Sequence, residues 1–373
     1  MPKNTNYKKP DFILLGVTLA ILTFGILVLS SVSASISLDK FGNTYHYLNH
    51  QIFYGIIPGV LLGFVAYRID LNFIKKWVWV ALLINLILLA MVFLPKIGTT
   101  LGGASRWLNF RIFSLQPSEF LKLTFIIYLA AWLSAQHEKI SQKKSPKDFS
   151  KTLIAFLAVV GVIGILLFFQ PDISTLGVIA TVAAIMYFLS GTPVLHTIFL
   201  ILFGIGILFL AIKIAPYRAN RLLVFLKPET SPMGLGYQAK QALITIGSGG
   251  IFGLGLGISR QQFGFLPEPM SDSIFAILAE ETGFIGAAIF ILLFLTFLVQ
   301  GFKIGKSGQN QFSQLLAFGI TSWILIQAVI NIGSMVGLLP LAGVPLPFIS
   351  YGGSALVSEL IGVGILLNIS KSS

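Results

Sequence analysis

Thirteen carboxylates are spread over the 373 residues, and seven stand where an acid is informative: Glu119, Asp172, Glu268, Asp272, Glu280, Glu281 and Glu359. Acids inside apolar spans are rare and usually functional. Asp272 is the leading candidate. It lies just before Ile274-Phe275-Ala276-Ile277-Leu278, between Ser271 and Ser273. Two readings stand together there. One is a helix cap, since Ser and Asp are favoured cap types. The other is a general base at a half-dry membrane boundary. Desolvation would lift its pKa and let it take a proton from a sugar-type hydroxyl. The positive end of the helix dipole opposes that lift. Glu268 is four residues earlier, but Pro267 and Pro269 argue against a helical turn joining the two. Glu280 and Glu281 sit two turns into the apolar run and read as braces for the bundle.

Cations stand at matching positions. Glu119 and Lys122 are three residues apart and share a helix face, which makes an internal ion pair or a lysine facing an anionic cavity. Gln116-Pro117-Ser118-Glu119 reads as a helix start. Arg106 adjoins Trp107, a combination that suits an interfacial anchor. Arg106, Arg111 and Lys122 could equally form a pyrophosphate clamp, because Arg binds phosphate oxygens bidentately. Residues 247–257 are glycine-rich but lack the Gly-Lys-Ser/Thr of a phosphate loop, so close packing by small residues is the simpler account. The four histidines are scattered and cysteine is absent. No metal constellation, thiol chemistry or Ser-His-Asp arrangement is legible.

These residues are set in a membrane chain. The sequence is 55% hydrophobic and 10% charged, against about 25% charged in ordinary globular domains. About ten spans of roughly 20 residues are read at 12–33, 51–67, 77–95, 118–135, 152–170, 173–190, 196–214, 273–301, 313–338 and 350–369, forming a single domain over 1–373. The basic start and apolar run 12–29 resemble a signal peptide, but the length of the run and the spans that follow favour a retained first helix. Placing the N-terminus in the cytoplasm puts fourteen Lys and Arg inside against four on the short outer loops. Cytoplasmic loops attract such residues, which also accounts for the net charge of +12 without nucleic acid. Both termini are then cytoplasmic. The long segment 215–272 faces out between spans seven and eight, with short or re-entrant helices expected in it.

The motifs together resemble the SEDS family of bacterial membrane proteins, that of FtsW, RodA and SpoVE. The likeness runs nearly end to end. It rests on Gly103-Ala104-Ser105-Arg106-Trp107, Gln116-Pro117-Ser118-Glu119 with Lys122, Gln170-Pro171-Asp172 and Gly236-Tyr237-Gln238 with Gln241. It continues through Gly247-Ser248-Gly249-Gly250, Leu266-Pro267-Glu268, Asp272, Glu280-Glu281 and Pro345-Leu346-Pro347-Phe348-Ile349-Ser350-Tyr351-Gly352-Gly353-Ser354. The form around Pro171-Asp172 looks more like the FtsW/SpoVE branch. Two departures stand out: Ser273 replaces the usual aromatic after the acid, and Gln262 replaces a frequent Lys.

The resemblance implies an all-α polytopic fold and peptidoglycan glycosyltransferase activity on lipid II at the outer face of the bacterial cytoplasmic membrane. It implies Asp272 as the catalytic carboxylate, the general base of an inverting transfer. Arg106, Arg111, Lys122, Glu119, Gln238, Gln241, Arg260, Glu268 and Ser350 are the substrate-binding candidates. A divalent cation, Mg or Mn, is the one cofactor the transfer could use. A class B penicillin-binding protein, other divisome proteins and membrane lipid are the implied partners. The rival readings are a lipid II flippase and a non-catalytic division scaffold.

Overall fold

The computed structural model describes residues 9–94, 97–101, 104–110, 114–143, 146–214, 216–227, 234–259 and 265–371. Arg111 and Arg260 lie outside the described residues. Within the described residues the α-helices are, in order, α1 (Phe12–Phe41), α2 (His46–Gln51), α3 (Ile57–Arg68), α4 (Leu71–Met91), α5 (Pro117–Lys143), α6 (Pro146–Phe169) and α7 (Ile173–Leu189), then α8 (Val194–Ile214), α9 (Pro216–Leu226), α10 (Leu235–Ser248), α11 (Ile274–Ser307), α12 (Gln311–Met335) and α13 (Gly353–Lys371). A π turn, Ile52–Ile56, joins α2 to α3, so His46–Arg68 forms one span. Among the described residues, nine helices are long and apolar enough to cross a membrane. Ile173–Leu189, with 17 residues, is a shorter apolar helix at the bottom of the spanning range.

The sequence reading differs from the structure in two respects. The all-α expectation omits a small sheet between α4 and α5. It comprises β1 (Gly98–Leu101), β2 (Ala104–Asn109) and β3 (Ser114–Leu115), paired antiparallel in that order. Strands this short carry too little alternation to be read from sequence. The first helix also runs past the span read at 12–33, on to Phe41, and its Val32 and Ser33 are buried.

Small residues set the packing. Helices α3 and α13 lie against each other through Gly59, Gly63 and Gly364, and a Cβ at Gly364 would strike the Gly63 carbonyl. Backbones approach closely only where no side chain intervenes. Helix α11 is broken at Gly283, whose φ is +68°. The break would orphan backbone groups inside the membrane, a cost of several kcal/mol each. The glycine-rich loop after α10 satisfies them: Leu254 N–H donates to Glu280 O at 3.0 Å, Gly255 N–H to Glu281 O at 3.0 Å, and Phe284 N–H to Gly250 O at 2.9 Å. A Cβ at Gly253 would collide with the Glu281 carbonyl. The packing account of this glycine run is therefore the correct one. The expected bracing role of the paired acids also holds. Glu280 accepts from Ser248 and Ser259, and Glu281 from Ser31 and the Gly257 N–H. The segment between α8 and α11 carries two short helices, α9 and α10, as expected.

Candidate functional site

Four chain segments meet around Asp272. The loop 266–272 turns on Glu268, whose φ of +49° lies in the left-handed region; Pro267 and Pro269 forbid a helix and force the turn. Ser271 and Ser273 N–H both donate to the Glu268 carbonyl, at 3.3 and 3.1 Å. Asn331 on α12 donates from its side-chain amide to Asp272 O at 2.8 Å and to Val344 O at 2.9 Å. Ser350 Oγ donates to Ser271 O at 2.6 Å, and Tyr351 N–H donates to Met270 O at 2.8 Å. The main chain at 270–272 is thus pinned from three sides, and Asp272 has its orientation fixed before any ligand arrives.

The carboxyl group itself is not consumed by this scaffold. The N-cap residue of α11 is Ser273, and its side chain makes no capping bond. Asp272 therefore does not cap the helix, and the cap reading falls. Its Oδ2 faces Gly343, where an added Cβ would sit 3.4 Å away. Burial pushes the Asp272 carboxyl up to about 6, and Glu268 adds to the rise; Arg221 and Arg106 oppose it. A carboxylate with this value is ionised at neutral pH yet basic enough to accept a proton, the poise a general base needs.

Asp272 lines a polar cavity of about 370 Å³ together with Arg106, Glu119, Lys122, Glu268 and Tyr351. Arg106 reaches it from β2 and is held by the carbonyls of Gln170 and Pro171, so the Gln170-Pro171-Asp172 corner serves to aim a guanidinium. Asp172 caps α7 through a bond from Thr175 N–H at 3.3 Å. Lys122 and Glu119 form an ion pair of 2.8 Å, both almost fully buried. The ammonium also donates to Gln327 Oε1 at 2.9 Å. The two sequence readings of this pair thus combine: the lysine is paired and also lines the cavity.

The remaining candidates are placed as follows. Gln238 donates to Ser273 Oγ at 3.3 Å and borders a smaller cavity of about 40 Å³ that also touches Asp272. Gln241 is turned to the Tyr237 hydroxyl at 3.0 Å and is not brought to the cavity. Ser350 holds the main chain of the aspartate loop and does not line the cavity. Sequence reasoning missed Arg221, Gln327, Asn331 and Gly343. A signal existed for Gln327 and Asn331, which are amides four residues apart in an apolar helix and so point the same way. Gly343 had none.

Among the described residues, no group of three His, Asp or Glu side chains is placed to hold a metal ion. A divalent cation, were the transfer to use one, would be held by Glu268 and Asp272, since Glu119, the third carboxylate lining the cavity, is paired with Lys122. No step below depends on one.

Residues 12–373 match the Cell cycle protein family of FtsW, RodA and SpoVE. The chain belongs to this family. It is 38% identical over 369 residues to stage V sporulation protein E of Bacillus subtilis, covering 99% of both chains. It is 36% identical over 360 residues to the probable peptidoglycan glycosyltransferase FtsW of Geobacter metallireducens, covering 96% of this chain and 94% of the relative. A solved peptidoglycan synthase complex that coordinates polymerization and crosslinking contains a chain with a TM-score of 0.77, at 26% identity and 97% coverage of both. RodA of Thermus thermophilus matches with a TM-score of 0.69, at 25% identity and 98% coverage of both. The resemblance read from the motifs is correct, and with it the multi-pass membrane fold.

Proposed function

We propose that the chain, a peptidoglycan glycosyltransferase by family, polymerises lipid II, with Asp272 as general base. The observation that carries this is the Asp272 carboxyl: fixed by its backbone, raised to about 6, free of hydrogen-bond duty, and facing the same cavity as Arg106 and Lys122. The acceptor's GlcNAc 4-hydroxyl gives its proton to Asp272. The oxygen attacks the anomeric carbon of the donor MurNAc with inversion. The carbon–oxygen bond to pyrophosphate breaks, and its electron pair leaves with undecaprenyl pyrophosphate. The proton then passes from Asp272 to water. Arg106 and Lys122 oppose the charge that grows on the leaving group. Glu119 and Gln327 fix the ammonium and leave one of its three donors for the leaving group.

Two observations support the orientation. The segments that build the cavity, around Arg106, Pro171, Asp272 and Gly343, all fall on the outer side in the charge-based topology. Asp11 N–H donates to Ser370 Oγ at 3.0 Å, so the two ends of the bundle lie on one side, which the same topology makes cytoplasmic. The reaction then occurs at the outer face of the bacterial cytoplasmic membrane, in division or cell-shape wall synthesis. A class B penicillin-binding protein would supply the cross-links, with other divisome proteins recruiting the pair.

The test is lipid II polymerisation by purified protein with a transpeptidase-dead partner, read as glycan ladders. Ladders establish the activity. Their absence, with lipid II appearing in the opposite leaflet of reconstituted vesicles, would move the assignment to a flippase. Their absence together with lipid II that stays in its leaflet would leave a scaffold.

A further inference from the structure

Asp272 is a wall between two cavities. On one side lies the polar cavity with Arg106 and Lys122. On the other, the small cavity shared by Asp272 and Arg221 leads into a cleft of about 110 Å³ between α9, α10 and the end of α12. Arg221, Leu235, Ser334 and Leu341 border both the small cavity and the cleft, and Gly343 and Val344 border both the small and the polar cavity. The three spaces therefore form a row with Asp272 at the junction.

The cleft has a distinct chemistry. Among the described residues that line it, Arg221 is the single charged one, and the rest of the wall is mostly apolar, including Val224, Phe225 and Leu243. Its guanidinium makes two long bonds, to Leu341 O at 3.3 Å and Ala342 O at 3.4 Å, both from one nitrogen. A guanidinium carries five N–H donors, so most of them stay available. Helix α9 has 11 residues, too few to cross a bilayer. Its Leu222, Leu223 and Leu226 are exposed while Val224 is buried, the habit of a helix lying in the interface. A site with one phosphate-type cation at the head of an apolar trough, at interfacial depth, fits a lipid phosphate with its tail.

The proposed transfer requires such a site. Both donor and acceptor are linked to polyprenyl pyrophosphate, and only the donor releases it. Two lipid-phosphate seats are therefore needed, the donor's beside the base and the acceptor's a disaccharide away from the reacting hydroxyl. The cavity with two cations suits the departing pyrophosphate, where charge grows. We propose that the Arg221 cleft seats the acceptor, a second polyprenyl-pyrophosphate-linked substrate, with its phosphate on Arg221 and its chain along the apolar wall. This rests on the glycosyltransferase reading above.

The experiment counts binding sites for undecaprenyl pyrophosphate in nanodiscs holding the Asp272→Asn protein, in which no turnover interferes. Two classes of site are expected. Arg221→Gln should weaken one class at least tenfold, and Arg106→Gln the other. Leu243→Trp, which fills the apolar wall and keeps the arginine, should weaken the same class as Arg221→Gln. Both affinities intact in Arg221→Gln or in Leu243→Trp would overturn the proposal, as would a single class weakened by both arginine substitutions. Ladders from the otherwise native protein report separately on the glycosyltransferase reading, so the failure of one is distinguishable from the failure of the other.

Discussion

Replacing Asp272 by Asn should make the protein more stable while slowing its chemistry. The carboxyl is held at about 6 against an ordinary 3.8, so the folded chain binds this proton more tightly than the unfolded chain. The sign follows directly. Stability from this group is complete below pH 3.8 and is lost as pH rises through 6. At about 1.4 kcal/mol per tenfold change in proton affinity, the full loss is about 3 kcal/mol. Roughly half of it falls between pH 5 and pH 8. An asparagine side chain at this position would be neutral throughout and escapes the cost of burying a charge. The apparent melting temperature of the two proteins in the same detergent should diverge with pH, the variant leading by a few degrees more at pH 8 than at pH 5. Reversible denaturant titration at both pH values gives the same comparison as free energies. A variant that is less stable than its parent at every pH, or a gap that does not widen from pH 5 to pH 8, would refute the reasoning: Asp272 would then be stabilised by partners and not strained by burial.

Three further outcomes follow from the geometry. The rate of glycan formation should rise with pH through a midpoint near 6; Glu268→Gln should move that midpoint down and Arg221→Gln should move it up, because those groups respectively raise and lower the value. A pH–rate profile of each variant checks both directions. Lys122→Met should destabilise the fold by about 3–5 kcal/mol, since it leaves the buried Glu119 unpaired, and adding Glu119→Gln should recover most of that loss in a double-mutant cycle. Gly253→Ala should cost at least about 1–3 kcal/mol, because φ is +82° there and the new methyl would meet the Glu281 carbonyl; thermal unfolding in detergent reads it.

Much of this arrangement was legible in the residues because the membrane makes polar groups conspicuous. Asp272, Glu268, Lys122 and Arg106 interrupt apolar surroundings, and the structure brings all four to one cavity. The paired acids Glu280 and Glu281 were also legible as braces. What sequence could not show was distance across the bundle. Arg221 looked like one more loop cation until α9 placed it beside Asp272. Gln241 shares a motif with Gln238, yet the helix turns it to Tyr237. Ser273 seemed interchangeable with Asp272 as a cap, and only the backbone shows that the helix begins after the acid. The sheet β1–β3 escaped notice because strands of four, six and two residues have no periodicity to read.

The most direct measurement compares glycan-ladder formation by wild type and Asp272→Asn under identical conditions, with folding verified by melting. A positioned general base contributes about 10²–10⁴-fold to rate. The account predicts that the variant, folded and at least as stable as its parent, forms glycan slower by that factor. Ladders from the variant at a rate within a few-fold of wild type would contradict it and remove Asp272 from the chemistry.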